Sequence, residues 1–403
     1  MRLGAWTCAV ALGVLAPASA RANDDAQLGL ALGAALPADG GADLLLVQEA
    51  RAAIASRVLG ATRVAAPPGT VRAVLLDPAH YRALVPALQA TEVGGAAKAQ
   101  PGAAAPLVAW ELEIPLFNLS GRLALRDRPD GVSFELVDGD LAPGRIVFSF
   151  GQIAGGGCTL IVDAQLNVKR SSWLLRHLIS RSPAGEPAVL AAAAYVALRA
   201  VALRAEHPYG DSAWRPTAPP GAARLPDAGP LAAEALAPLR ARGRLALVAR
   251  ERTERLGGVA LGIDLYAPAA RVERALRDPA TWRAFPGWKT VRLVAGTNGA
   301  GAEVEDDLPL VDLDATWIAE AGLAPRWTVA AGATRGARLG WNVYALTGAT
   351  PTLATLLLYP RLEATGIIAR RFIAAEPLLE EGLALALGIV DASAMEVSLR
   401  TLR

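Results

Sequence analysis

Two stretches of this chain read alike at a fixed spacing, and that repeat constrains the fold more than any other feature. Val71–Leu84 reads VRAVLLDPAHYRAL and Val272–Phe285 reads VERALRDPATWRAF. Val, Leu, Asp-Pro-Ala and Arg-Ala are identical between them; Tyr81 pairs with Trp282 and Leu84 with Phe285. Pro67 matches Pro268 at the same offset. A second match follows in the same order, ELEIPLFNLS at Glu111–Ser120 and EDDLPLVDLD at Glu305–Asp314. A spacing near 200 residues exceeds any solenoid period, so a whole domain has been duplicated.

A length of 403 residues suits two domains and a leader. Hydrophobic residues are 53% and charged residues 19%, which is ample for two packed cores and excludes wholesale disorder. The start reads as a signal peptide over residues 1–22. Arg2 is followed by the apolar stretch Leu3–Ala16, then by small-residue cleavage patterns ending at Ala20 or Ala22. That predicts a periplasmic or secreted protein. Removal of Arg2 and Arg21 leaves 38 basic against 38 acidic side chains, a balance that argues against nucleic-acid binding. It also leaves Cys158 as the last cysteine, so no internal disulfide is expected. No later segment reads as a membrane span.

The predicted organisation is an arm over 23–50, a first domain over 51–206, a Pro-rich linker over 207–242 and a second domain over 243–403. The linker is marked by Pro208, Pro216, Pro219, Pro220, Pro226 and Pro230. Asn23–Gly41 has few structure signals and reads as mobile, and a helix is predicted over Ala42–Ala55. Within the first copy, Ser56–Val64 reads as a strand, and Pro67-Pro68 opens a short helical hairpin broken at Asp77-Pro78. Strict alternation over Leu107–Leu116, Leu119–Arg126, Val132–Val137 and Leu160–Val168 then predicts strands with one apolar face. The Ala- and Leu-rich run Val189–Ala205 closes the copy as a long helix, and the second copy repeats the order. The fold class is therefore α+β: tandem helix-grip domains, each a curved antiparallel sheet around a long C-terminal helix.

This element order resembles the START-like (SRPBCC) superfamily, nearest to its polyketide cyclase and coenzyme-Q-binding branch. The residues that carry it are Asp77-Pro78, Tyr81 and Val85-Pro86, with Asp278-Pro279, Trp282, Pro286 and Trp288 in the second copy. Copy two departs in that its proline follows Phe285 directly. The resemblance implies a hydrophobic cavity under the closing helix, in proteins that bind lipids, quinones, sterols or aromatic polyketides. No catalytic residue carries over.

Strand parity names the candidate ligand-binding residues. They are Trp110, Leu112, Ile114, Phe134, Phe148 and Phe150 with Tyr195 from the helix, and Asp306, Leu308, Trp317, Trp327, Trp341 and Phe372 in copy two. Asp306 aligns with Leu112, and a carboxyl on that face would have a raised pKa. His80, His177, His207 and Cys158 lie at no metal-ligand spacing, and no nucleophile elbow, P-loop or dinucleotide motif occurs. Neither a metal nor a cofactor is expected. The reading is non-catalytic binding or transport of a hydrophobic small molecule of lipid, quinone or isoprenoid type in the cell envelope, with room for transient membrane contact. The alternatives are a cyclase or isomerase using Asp306 with a pocket tyrosine or Asn342, and an interaction module in which one pocket is filled. Ligand identity and oligomeric state are left open.

Overall fold

The structure, a computed structural model, describes residues 27–400 apart from short stretches, the longest being 97–105, 208–223 and 362–376. Residues 1–22, read from the sequence as a leader, and Phe372 lie outside the described residues.

Copy one begins with a helical segment α1 (27–34) and two strands, β1 (Ala42–Gln48) and β2 (Arg57–Val64). Helices α2 (Pro68–Leu75) and α3 (Tyr81–Leu84) follow. Six strands come next: β3 (Leu88–Ala96), β4 (Pro106–Ile114), β5 (Phe117–Arg128), β6 (Gly131–Gly139), β7 (Gly144–Gln152) and β8 (Cys158–Gln165). Helix α4 (Trp173–Ser180) leads to the long α5 (Gly185–Glu206). Copy two repeats the plan. It opens with α6 (Gly229–Ala232), α7 (Ala237–Arg240), β9 (Arg244–Arg250) and β10 (Leu256–Leu265), then α8 (Ala269–Arg277) and α9 (Pro279–Trp282). Strands β11 (Trp288–Gly296), β12 (Gly299–Leu308), β13 (Val311–Ala319), β14 (Arg326–Gly332), β15 (Arg338–Ala345) and β16 (Thr352–Tyr359) precede the long α10 (Pro377–Arg400).

The helix expected over Ala42–Ala55 is instead the strand β1 over Ala42–Gln48, and this changes the architecture. β1 pairs with β2 on one side and antiparallel with β9 on the other. The two copies are thus not separate sheets on a tether; they share one sixteen-stranded sheet. Leu45 pairs directly with Ala246, its own counterpart 201 positions on, so the seam is a local two-fold. Joining there also removes two open sheet edges.

The repeat extends upstream of the matches found by eye. Leu30, Pro37, Leu44, Leu46 and Val47 correspond to Leu231, Pro238, Leu245, Leu247 and Val248 at the same spacing. These segments do the same work in both copies. Leu32 and Leu36, from the stretch expected to be mobile, are buried on the outer face of the central strands with Leu44, Leu46, Leu59 and Ile161. Leu231, Leu236 and Leu239, from the stretch expected to be linker, cover Leu245, Leu247, Leu353 and Leu357. The central strands are therefore apolar on both faces, which explains why Leu44-Leu45-Leu46-Val47 does not alternate.

On the inner face lie α5 and α10, packed on each other and on the sheet. Both are long and apolar enough to cross a bilayer, but α5 is apolar almost all round because it is a core helix. A size swap shows how closely the helices fit. Leu198 of α5 meets Gly60 of β2, while in copy two Gly388 of α10 meets Leu261 of β10. Leu261 is the counterpart of Gly60 at the 201-position spacing, so the large residue has changed sides of the contact.

Both copies bend their sheets by the same device. The β5–β6 pairing slips between Arg122 and Leu123, and the β13–β14 pairing slips between Thr316 and Trp317. Each slip ends at a glycine in the left-handed region, Gly139 (φ 99°) and Gly332 (φ 103°). A Cβ at either would collide with a backbone carbonyl, of Ser120 and Asp314 respectively. Each copy thus has a β-bulge beside a glycine at the same place, and a bulge bends its strand.

Candidate ligand-binding site

The inner face of copy one is built by alternation. Val108, Trp110 and Leu112 on β4, Leu119, Leu123 and Leu125 on β5, and Val132 and Phe134 on β6 all join one apolar cluster with Phe148 and Phe150 of β7. Gly121 pairs with Trp110, and the indole lies across it at 3.0 Å from where a Cβ would stand. Five of the sequence-predicted residues, Trp110, Leu112, Phe134, Phe148 and Phe150, thus come together. The backbone of Ile114 ends β4 on the same register, but its side chain is outside the described residues.

At the centre is an aromatic group that parity on the strands could not find, because its first member comes from a helix. Tyr81 of α3 lies 6.1 Å from Phe134, which meets Phe148 edge-on at 5.6 Å. The Tyr81 hydroxyl donates to the Leu75 carbonyl at 2.5 Å, and burial pushes its pKa upward. In copy two the same three positions are Trp282, Trp327 and Trp341, with ring centroids 4.5 and 5.3 Å from Trp282. The signal for Tyr81 and Trp282 was their pairing in the repeat.

Among the described residues the centres of the two interiors differ. All three tryptophans of copy two are essentially inaccessible, and the Trp341 indole N–H donates to the Met395 sulfur at 3.1 Å. Trp317 is buried beside them. In copy one Tyr81 and Phe148 are buried, but Leu88, Leu112, Phe134, Ile146 and Phe150 are only partly so, although they face inward. Phe134 and Ile146 pair directly across β6 and β7. Smaller rings at the centre leave apolar surface uncovered on the inner face.

One further predicted group keeps its register, and two fall elsewhere. Asp306 takes the register of Leu112: it pairs with Leu313 as Leu112 pairs with Leu119. The side chains of Asp306 and Leu308 are outside the described residues. Asn342 lies next to the inward Trp341 on β15, so alternation turns it to the outer face. There it contacts Arg326 and donates to the Tyr344 hydroxyl, away from the interior. Tyr195 does not serve copy one's interior through its hydroxyl. It points into the seam, because the joining of β1 to β9 brings α10 beside α5.

That seam holds a buried polar group that no motif announced. The Tyr195 hydroxyl lies 2.9 Å from a Glu381 oxygen (α10) and 3.3 Å from a carboxylate oxygen of Asp43 (β1). Arg250 of β9 and Arg199 of α5 approach Asp43 at 3.4 and 3.8 Å. All five side chains are buried. Burial pushes the Glu381 carboxyl up to about 7 against the opposing pull of Arg199 and the Tyr195 hydrogen bond. Burial, then the Glu381 and Asp43 charges, push the Tyr195 phenol far up. In copy two the counterpart of Asp43 is Arg244, which instead pairs with Glu396 at 2.7 Å.

Burial raises the Cys158 thiol to about 11, so at neutral pH it is a packing residue. Among the described residues no three His, Cys, Asp or Glu side chains group closely enough to hold a metal ion.

Strand order, duplicated bulges and paired long helices decide the architecture. The chain is a tandem helix-grip protein. No family model matches its sequence, and no curated protein matches it. Among solved structures it is similar to a START superfamily protein from Mycobacterium smegmatis (17% identity, 38% of this chain and 99% of that one, TM-score 0.28). It is also similar to the di-domain ARO/CYC StfQ from the steffimycin biosynthetic pathway (12% identity, 84% and 98%, TM-score 0.25). A third likeness is to the Zhui aromatase/cyclase from Streptomyces sp. R1128 (14% identity, 38% and 93%, TM-score 0.27). The fold assignment rests on the pairing described above and not on these likenesses.

Proposed function

We propose that copy one of this tandem helix-grip protein binds an apolar small molecule without transforming it, and that copy two is its packed structural partner. One observation carries the reading. Inward-facing Leu112, Phe134, Ile146 and Phe150 keep accessible apolar surface in copy one, whereas the copy-two counterparts of Phe134 and Ile146, Trp327 and Leu339, are buried. Apolar surface left open inside a fold is where ligand burial yields the most, roughly 25 cal/mol per Å². A lipid, quinone or isoprenoid fits the absence of charge among these lining residues. The signal-peptide pattern read in residues 1–22 is what would place this action in the cell envelope.

The expected stoichiometry is one ligand per chain. Titration of the purified chain with a fluorescent fatty acid, checked by native mass spectrometry, should give one equivalent. Leu112→Trp fills the open interior and should abolish uptake while leaving the circular dichroism spectrum unchanged. Two equivalents per chain, or none for any apolar probe, would count against the proposal.

Transient membrane contact is part of the same reading. Trp173 of α4 is 71% exposed, its ring stacked on His177 at 5.8 Å, with Arg176 exposed beside it and Lys169, paired with Glu186 at 2.9 Å, before the helix. An exposed indole flanked by cations suits an anionic lipid headgroup layer. Co-sedimentation with phosphatidylglycerol vesicles should exceed that with phosphatidylcholine, and Trp173→Ala should reduce it. Equal recovery of the variant would remove α4 from this role.

A further inference from the structure

The seam contains three oxygens in a row, Glu381 Oε2, Tyr195 Oη and Asp43 Oδ2, at 2.9 and 3.3 Å. A phenol carries one hydrogen and can donate to only one of two carboxylates. Both contacts become hydrogen bonds only when one carboxyl is protonated. Arg199 and Arg250 stand beside Asp43, so the negative charge is best placed there and the extra proton on Glu381. The chain then runs from the Glu381 O–H to Tyr195, and from the Tyr195 O–H to Asp43. It crosses the seam from α10 of copy two through α5 to β1 of copy one.

We propose that Glu381, Tyr195 and Asp43 form a proton-operated clamp between the two copies, closed when Glu381 is protonated and strained when it is not. The charged groups facing Glu381 are Arg199 and Tyr195 from α5, Asp43 from β1 and Arg250 from β9. The other strands under α10, β10 and β16, turn apolar side chains inward: Val259, Leu261, Ile263, Ala354 and Leu356. On deprotonation two anions face one phenolic hydrogen inside the molecule, and the unsatisfied contact is costly there. Glu381 moves from an ordinary 4.5 up to about 7 by burial, which puts the switch near neutrality. The native state therefore keeps a proton that the unfolded chain has already given up. Stability should fall as pH rises from about 4.5 to about 7 and level off above.

The test is urea unfolding of the full chain at about pH 5 and about pH 8. In wild type the unfolding constant should rise on the order of a hundredfold between them beyond the change seen in Glu381→Gln, which mimics the protonated acid. Tyr195→Phe, which breaks the chain but leaves the carboxyl buried, should change the size of that pH dependence, so that its cost differs between the two pH values. A Glu381→Gln protein with the wild-type pH slope, or a Tyr195→Phe cost equal at both pH values, would overturn the clamp. If Glu381→Gln does not fold, infrared spectroscopy of wild type replaces it. A protonated carboxyl band lost between about pH 6 and pH 8, and displaced in Tyr195→Phe, supports the proposal. No such band at any pH overturns it.

Discussion

Truncation of Trp341 to alanine should lower the stability of the whole chain by about 3–5 kcal/mol, read as a shift in the urea midpoint at constant slope. Trp341 is fully buried, packs against Trp282 and donates to Met395, so the variant leaves a large cavity and an unmet sulfur contact. The contrast with copy one gives the prediction its force. Phe150→Ala removes a partly accessible ring from an interior that already has uncovered surface. Less area is lost and little new cavity is made, so the expected cost is about 1 kcal/mol. Both follow from the same claim, that one interior is packed and the other open. Equal costs at the two positions would sink it. The unfolding should also be one transition, because the sheet is continuous across β1 and β9 and the long helices pack on each other.

The second large effect should come from the seam. Asp43→Ala removes the carboxylate that Arg250 and Arg199 approach at 3.4 and 3.8 Å and that lies 3.3 Å from the Tyr195 hydroxyl. Two buried guanidiniums then lose the counter-charge they face, and the expected loss is about 3–5 kcal/mol. Replacing a buried ion group wholesale by apolar residues can be neutral; removing one member is what costs. A triple variant in which Asp43, Arg199 and Arg250 are all replaced by apolar residues of similar volume should therefore recover much of the loss. A single Asp43→Ala variant within about 1 kcal/mol of wild type would show that these charges do not depend on one another. The measurement is independent of ligand, since the seam lies between the copies.

Duplication has not kept the two copies equal, and the differences sit where the copies meet or where they are hollow. Tyr81, Phe134 and Phe148 became, or came from, three tryptophans. At the place of Asp43 in the repeat, copy two has Arg244. Gly60 and Leu198 answer Leu261 and Gly388 with the bulk exchanged. Each is a local solution to the same packing problem.

Much of this was readable from residue order alone, for a definite reason. Where a strand has one dry face and one wet face, as in β4 to β6, side chains alternate and the inward set follows by counting. That is how counting puts Trp110, Leu112 and Phe134 on inward faces, and all three lie in one apolar cluster. The Asp-Pro hairpins and the Pro-Leu stretches established the duplication without any coordinates. What counting could not reach was decided by contacts distant in the chain. Leu44-Leu45-Leu46-Val47 has the same hydrophobicity as a buried helix; it is a strand because α1 and the stretch before β9 cover its outer face while α5 and α10 cover its inner one. Leu32 and Leu239 sit among alanine, glycine and proline with no periodic signal, and only the apolar sheet face gives them a place. Tyr195 is a candidate from the sequence only as the tyrosine of the closing helix. Its direction was settled by Asp43, 152 positions earlier, and Glu381, 186 positions later, neither of which a local pattern can bring within 3.3 Å of it.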